Sequence, residues 1–301
     1  MARIAIVIVT CNSAAEIGPC LAAARRIEDA EIVVVDNASA DHTVTLARTA
    51  GANVIANAAN SGFAAGVNQG VSATTAPLIL LLNPDTQYQS GIEALLDCFH
   101  DPHIGGAGGL TAGDDGLPQS GFMARNLPTP LTLALEVLGI NRVFFDSFWN
   151  RQYRCAGLDL YGLSEVEQPA AAFFMFRRLC WEKLGGWDEG FRPIWFEDVD
   201  FCARLKAAEW KVLFQPLAVA KHAGGHSIHG LPFEVREKYW YGSLLRYAAK
   251  HYPSAGRIGV CWAVLAGSIV RAARGLPQHG YKAIVVYAGV IRQAARTMFG
   301  R

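Results

Sequence analysis

Three apolar runs set what this chain can fold into. "RIAIVIVT" (3–10), "EIVVVD" (31–36) and "LILLL" (78–82) are β-rich and almost wholly apolar, with helically spaced stretches between them. A strand that is apolar on both sides must be covered on both faces. The intervening segments supply the cover. Residues 14–26 put Ile17, Leu21 and Ala24 on one helical face, Ser39 or Asp41 can cap a helix running through Leu46 to Ala50, and "NSGFAAGVNQGV" opens a glycine-punctuated helix. With a short third strand at 53–56, the alternation predicts an α/β fold: a Rossmann-like, mostly parallel, doubly wound sheet with helices on both faces.

Downstream, residues 105–130 are rich in Gly and Pro and read as loop. Residues 131–167 are aromatic without a clear period and read as a mobile cover over a site. Order returns with a strand in "AAAFFMFRR" (170–178), a turn at "GGWDEGF", a helix over 197–210 and a short strand at "KVLFQP". The reading places one domain over 1–230 and a basic helical extension over 231–301.

With 51% hydrophobic and 18% charged residues in 301, the chain can bury a core, which excludes a disordered protein. The seven cysteines form no CxxC pair and read as reduced thiols, as in a cytosolic protein. The apolar start "IAIVIV" is six residues long and fits a first strand better than a secretory leader. A net charge of +1 hides an asymmetry: from Lys238 to Arg301 there are ten Lys/Arg and no Asp/Glu, so the body is acidic and the tail basic. Such a tail points to an anionic contact.

"LILLLNPDTQ" then poses a chemical question. Pro84 cannot continue a ladder, so the chain turns there and leaves Asp85 at the carboxyl end of a strand. Asp36 ends the second strand on the same edge, where open α/β sheets bind ligands. Each carboxylate is either a turn former or a ligand for something positive. Two carboxylates without a basic cluster suit a phosphate ligand only through a divalent cation, Mg²⁺ or Mn²⁺. A dinucleotide fingerprint is missing, since "TCNSAAEIG" follows the first strand, and there is no P-loop. A sugar nucleotidyltransferase would carry Arg and Lys in a Gly-rich loop there, and residues 11–24 have neither. A non-catalytic nucleotide- or carbohydrate-binding relative is the third reading.

The segments "VIVTCNS", "VVVDNAS", "NSGFAAGVNQG", "LLNPDT", "GGWDEGF" and "WFEDVDFCARLK", in this order, resemble the family 2 glycosyltransferases of GT-A fold. The likeness spans about residues 3–230 and is nearest to rhamnosyltransferase-like enzymes that build cell-surface polysaccharides. It implies transfer of a sugar, rhamnose or related, from a UDP- or dTDP-sugar with inversion at the anomeric carbon. The acceptor would be a hydroxyl of a lipid-linked or polysaccharide glycan.

The resemblance also implies roles. Asp85, in Asn83-Pro84-Asp85, stands where the family holds its metal in a DxD-like motif. Asn83 replaces the first Asp and joins the nucleotide-binding set, which implies a weaker, exchangeable metal. His222 matches a metal-binding His, with His226 and His229 close behind as competitors. Asp36 matches the carboxylate that reads the imide N–H of uracil or thymine, unless it is only a cap. Thr10 and Asn12 would line base and ribose, and Asn60, Gly62 and Asn68 the ribose and phosphates, though Gly62 and Gly66 also suit helix–sheet packing.

Glu197, Asp198 and Asp200 cannot all face one pocket, because neighbours on a helix point about 100° apart. The resemblance makes Asp198 the base and leaves Glu197 to the acceptor. Asp200 suits a solvated pair with Arg204. Trp187 and Asp188 would line the acceptor or merely pack a turn. Ala172, in an Ala171-Ala172 pair where the family has Gly-Ala, would narrow the donor-sugar pocket.

In the tail, "IGVCWAVLAGSIV" (258–270) is thirteen residues, short of the ~20 a span needs, and "AIVVYAGVI" is shorter. With Arg and Lys nearby, both read as interfacial helices in peripheral contact with the inner face of the plasma membrane from the cytoplasm. The alternative is two helices that cover the sheet or make a homodimer. No nucleic-acid partner is expected.

Overall fold

The alternation of apolar residues in the first strands is resolved by helices on both sides. In β1 (Ile4–Thr10), Ile4, Ile6 and Ile8 join one buried cluster with Ile17, Cys20 and Leu21 of α1 (Ile17–Ala24). Ala5, Val7 and Val9 point the other way, into a second cluster with Ala64, Val67 and Val71 of α3 (Phe63–Ser72). Successive side chains of a strand face opposite sides, so a run apolar at every position needs two cores. Here α3 approaches closely: a Cβ on Gly66 would lie 2.7 Å from Val9 Cγ1, and one on Gly70 2.4 Å from Val7 Cγ1.

The computed structural model describes residues 2–224 and 230–300. The chain forms two units, one of Met1–Leu127, Arg154–Pro193 and Glu197–His229, the other of Pro128–Tyr153, Ile194–Phe196 and Gly230–Arg301. The second unit is therefore not the contiguous 231–301 extension read from sequence. It also takes in residues 131–153, more than half of the aromatic segment.

In the first unit, β1, β2 (Ala30–Asp36), β3 (Asn53–Ala56) and β4 (Leu78–Leu82) are parallel neighbours, joined through α1, α2 (Thr43–Thr49) and α3. Thr10 is in register with Asp36, so the ends of β1 and β2 share one rim. The nine-stranded sheet then runs on from β4 through β10 (Phe173–Arg177), β6 (Ile104–Ala112), β11 (Lys211–His222) and β5 (Thr86–Ser90), with β8 (Ser164–Val166) also on β11. β10 is antiparallel to both β4 and β6, and β11 is parallel to β6 but antiparallel to β5 and β8. Only the N-terminal half thus follows the all-parallel alternation. β7 (Ala124–Arg125) and β9 (Gln168–Pro169) form a two-stranded ribbon. α4 (Ile92–Asp97), α8 (Arg178–Lys183) and α9 (Glu197–Ala207) complete the unit.

The glycines at 105–109 read as loop but lie inside β6. The reason is crowding: a Cβ on Gly108 would come 2.3 Å from Pro169 Cβ, and one on Gly109 2.3 Å from Phe173 Cε1. Glycine is what lets neighbouring strands pack here. β11 is likewise longer than "KVLFQP", because a register shift between Gln215 and Val219 absorbs Pro216 and pairing resumes to His222.

The second unit holds α5 (Pro130–Val137), α6 (Ile140–Val143), α7 (Phe148–Tyr153), α10 (Phe233–His251), α11 (Ser254–His279) and α12 (Tyr281–Met298). Residues 258–270 are the middle of one continuous 26-residue helix rather than a short segment. By length and composition α11 passes for a membrane-crossing helix, the only one among the described residues to do so. Its inner face, including Val260, Cys261, Val264 and Gly267, is buried. At Gly267 a Cβ would lie 2.7 Å from the Val137 carbonyl, so α5 packs directly on it. Tyr252 Oη donates to Pro128 O at 2.5 Å and Tyr287 Oη to Glu237 at 3.0 Å, tying the unit together. All seven cysteines are free thiols.

Candidate active site

All fourteen residues singled out from the sequence belong to the first unit, and the sheet explains which of them meet. β4 ends at Leu82, and Leu82 is in register with Phe173 at the start of β10. The Asn83 N–H then donates to Ala172 O at 3.2 Å. A few residues earlier, Gln168 donates from Nε2 to Asp198 Oδ2 at 3.0 Å, and the Ala171 backbone lies near enough to act on the Asp198 carboxyl. The 170–172 turn thus meets Asn83 through Ala172, while Gln168 just before it meets Asp198. Two remote segments converge there because β10 inserts antiparallel beside β4.

His222 reaches Asp85 through the other edge. It ends β11 in register with Thr86, and the Ala223 N–H donates to Asp85 O at 3.1 Å. His222 Nε2 faces Asp85 Oδ1 at 3.6 Å, both side chains being nearly buried. That separation is longer than a hydrogen bond. Asp85 Oδ1 is buried and has no hydrogen-bond partner. On the far side of the ring, Nδ1 and Gln119 Oε1 are 2.9 Å apart, and Gln119 Nε2 donates to His222 O at 3.0 Å. Phe122 stacks on the imidazole at 4.7 Å with planes 7° apart. The Gln119 acceptor places the proton on Nδ1 and leaves a lone pair on Nε2, facing the carboxylate. Burial holds the His222 pKa down, against the pull of Asp85, so the imidazole is neutral.

A carboxylate oxygen without a partner beside an imidazole lone pair is an unfavourable pair unless a cation joins them. The donor set, one carboxylate and one neutral imidazole, fits a divalent cation that takes its remaining ligands from diphosphate and water. Among the described residues no group of three or more His, Cys, Asp or Glu is placed to hold a metal, so the described residues offer these two. His226 and His229 lie outside the described residues.

Asp198 sits at the start of α9 and keeps some exposure. Oδ1 accepts from the Val199 N–H at 2.8 Å and Oδ2 from Gln168 Nε2 at 3.0 Å. Burial nevertheless outweighs these donors and the nearby Arg125, and its pKa is raised. A carboxylate so held is a stronger base than one in water. Glu197, expected at the acceptor, is instead 4% exposed with Oε2 unpartnered. Burial, then the charge of Asp198, pushes its pKa well up, and a side chain so buried offers no surface to an acceptor. Asp200 pairs with Arg204 at 2.8 Å as expected, but the pair is buried, and Arg204 also donates to Leu184 O and Gly186 O.

Three further expectations are corrected by packing. Asn68, assigned to ribose and phosphates, is fully engaged. Its Nδ2 donates to Trp187 O (2.9 Å) and Glu189 Oε1 (3.0 Å), and its Oδ1 accepts from Trp181 Nε1 and Trp187 N (both 2.9 Å). It staples α3 to the "GGWDEGF" turn. Trp187 is buried, stacked on Phe201 at 5.1 Å and tilted against Phe176, so its face is not open to a sugar. Ala172 is buried too, and Ala171 is the member of the pair that keeps some surface. Asp188 is partly exposed, its Oδ1 accepting from the Gly190 N–H at 2.8 Å.

At the neighbouring rim, Asp36 is 1% exposed and caps its own loop: Oδ1 accepts from Ser39 Oγ at 2.5 Å and Oδ2 from Ser39 N at 2.9 Å. Asn12, at φ 53°, accepts from the Ala40 N–H and ties the ends of β1 and β2 together. Thr10 is buried with Oγ1 unpartnered. Asn60 is exposed and its Oδ1 accepts from Gly62 N at 2.9 Å. Gly62 has φ +93°, and a Cβ there would meet Pro193 O at 3.2 Å. This end of the sheet thus presents Asn12 and Asn60, with Asp36 holding the loop in place.

Sequence reading missed Gln119, Phe122 and Gln168. None sits in a motif, and each becomes relevant only through what it touches in the fold: Gln119 and Phe122 meet His222 at the end of β11, and Gln168 meets Asp198.

The sequence matches the glycosyl transferase family 2 profile over residues 5–162. It is 27% identical over 216 residues to an N-acetylglucosaminyl-diphospho-decaprenol L-rhamnosyltransferase of Mycobacterium tuberculosis, covering 65% of this chain and 67% of that protein. Among solved structures, mannosyltransferase PcManGT from Pyrobaculum calidifontis, in complex with GDP-Man and Mn²⁺, superposes with a TM-score of 0.57 at 13% identity, covering 99% of this chain and 87% of that one. S. aureus TarS 1-349 in complex with UDP-GlcNAc gives 0.58 at 14%, covering 98% and 81%. These likenesses show the fold, which is GT-A. The match spans more than half of the sequence, and the chain belongs to glycosyl transferase family 2.

Proposed function

We propose that this glycosyltransferase is a metal-dependent, inverting enzyme. It moves a sugar, rhamnose or related, from a UDP- or dTDP-sugar to a hydroxyl of a lipid-linked or polysaccharide acceptor in cell-surface glycan synthesis. The observation that carries the reading is that Asn83, next to the Asp85–His222 pair, and Gln168, which holds Asp198, meet one short segment, 168–172. A direct displacement needs a base on the face of the sugar opposite the leaving diphosphate.

Asp198 takes the proton of the acceptor hydroxyl onto a carboxylate oriented by Gln168 and Val199 N. Asp85 and His222 would hold Mg²⁺ or Mn²⁺, which would supply positive charge to stabilise the departing diphosphate. Asn12 and Asn60 supply exposed polar groups for base and ribose at the end of β1. The rhamnosyltransferase relative, whose name specifies a decaprenol-diphosphate-linked acceptor, supports a lipid-linked substrate, and the Mn²⁺ in the PcManGT complex supports the metal. The basic second unit then serves as a peripheral contact with the cytoplasmic face of the membrane, close to such an acceptor.

Thermal shift with a panel of UDP-, dTDP- and GDP-sugars, with and without Mn²⁺, tests the donor. A uracil or thymine nucleotide should stabilise the protein and Mn²⁺ should enlarge the effect. Indifference to every nucleotide overturns the reading.

A further inference from the structure

Large exposed apolar side chains are unevenly distributed in this protein. Of twenty-two among the described residues, sixteen belong to the second unit, which holds about a third of the chain. That unit also carries thirteen Lys/Arg against four Asp/Glu, whereas the first carries fourteen against twenty-two. The charge boundary and the structural boundary coincide.

The densest apolar cluster is Val143 (75% exposed), Phe144 (63%), Phe145 (63%), Phe148 (65%) and Trp149 (50%), five residues within seven. This segment, from the end of α6 to the start of α7, is not loosely hung. Asn150, 1% exposed, donates from Nδ2 to Phe145 O at 2.7 Å and from its backbone to Ser147 Oγ at 3.3 Å. Ser147 N donates to Phe144 O at 3.1 Å, and Arg151 N to Ser147 O at 2.9 Å. Phe148 and Trp149 meet edge to face at 5.3 Å. A buried amide is thus committed to a backbone shape that turns four aromatic rings outward. An ordered, contiguous apolar patch of this kind marks an interaction surface.

The charges decide what it meets. Arg142 and Arg151 bracket the segment, and its one acid, Asp146, lies 3.9 Å from Arg151. The last two long helices, α11 and α12, carry Arg274, Lys282, Arg292 and Arg296 on exposed positions, and no acid follows Glu237. Aromatic residues bracketed by Arg142 and Arg151, within a unit of net positive charge, suit the boundary between acyl chains and anionic headgroups.

We propose that Val143–Trp149 is a wedge that inserts into an anionic bilayer while the basic helices hold the headgroups. The inference extends the reading of the tail as a membrane contact and names the element that enters the lipid.

The test uses the full chain and co-sedimentation with vesicles of phosphatidylcholine, alone or mixed with phosphatidylglycerol. Wild type should sediment with the anionic vesicles. Phe144→Ser/Phe145→Ser/Trp149→Ser should weaken this at least about tenfold with the far-UV circular dichroism unchanged, while Phe144→Leu/Phe145→Leu should retain it. Acyl chains brominated near the headgroup should quench wild-type tryptophan emission more than that of Trp149→Ser.

If wild type ignores all vesicles, both the tail reading and the wedge fall. If it binds, the Ser variant binds equally, and only Arg274→Gln/Lys282→Gln/Arg292→Gln/Arg296→Gln is lost, the wedge alone falls. If the Ser variant converts a wild-type dimer to monomer without any effect on vesicles, the patch is a self-association surface and the proposal is overturned. Nucleotide binding, measured in parallel, reports on the transferase reading separately.

Discussion

Asn68→Ala separates a structural role from a ligand role at a position where the family resemblance and the structure disagree. The side chain makes four hydrogen bonds of 2.9–3.0 Å that join α3 to Trp181, Trp187 and Glu189. Each such bond contributes about 1 kcal/mol net, and the one to exposed Glu189 contributes little. The remaining three give a loss of about 3 kcal/mol, a large fraction of an ordinary stability of about 5–15 kcal/mol. For a unit of this size the melting temperature should fall by roughly 6–12 °C. Asn68→Asp keeps both acceptors but turns both donors into an anion facing the Trp187 carbonyl and Glu189, so it should be at least as damaging. Thermal unfolding gives the stability, and calorimetry with UDP and Mn²⁺ below the transition gives affinity. The structure predicts destabilised variants that bind nucleotide within about twofold of wild type. A variant that melts like wild type but binds nucleotide tenfold more weakly would refute the staple and restore the ribose–phosphate role.

Other predictions follow from the same geometry. Gly70→Ala puts a methyl 2.4 Å from Val7 Cγ1 and should cost about 1–3 kcal/mol in urea unfolding, whereas Gly18→Ala, with nothing within 4 Å on α1, should be neutral or stabilising by up to about 1 kcal/mol. Glu197 has its pKa raised by burial, so its contribution is favourable below the ordinary carboxylate pKa and is lost as pH rises through the folded value; Glu197→Gln should therefore flatten that fall and raise the melting temperature relative to wild type at pH 8 more than at pH 4. Gln119→Leu removes the acceptor that fixes the His222 ring, and should weaken Mn²⁺-dependent UDP binding by about 10–100-fold, read by calorimetry, with the metal-free thermal shift changed far less.

The parts of the fold legible in the sequence are those set by local pattern. β1, β2, β3 and β4 stand where apolar runs and their Asp or Pro ends predict them, and α9 begins at Glu197. What escaped was non-local. The glycines of β6 look like loop residues, because composition cannot show that they exist to admit Phe173, Phe174 and Pro169. The antiparallel entry of β10 breaks no sequence rule and leaves no trace before the strands pair. The same holds at the site. Asp85, His222 and Asp198 stand out through residue type and order, but Gln119, Phe122 and Gln168 acquire meaning only from what they touch. Asn68 and Trp187 look functional within their motifs and prove to be the joinery of a turn. Continuity of α11 was hidden because its middle is apolar and its ends are not.

The claim on which the mechanism rests is that Asp198 is the base and not part of the donor site. Wild type and Asp198→Asn should bind a UDP- or dTDP-sugar with Mn²⁺ equally by calorimetry, and only wild type should release the nucleoside diphosphate when acceptor is supplied. Equal turnover in the two proteins, or loss of nucleotide binding in a well-folded Asp198→Asn, would contradict it.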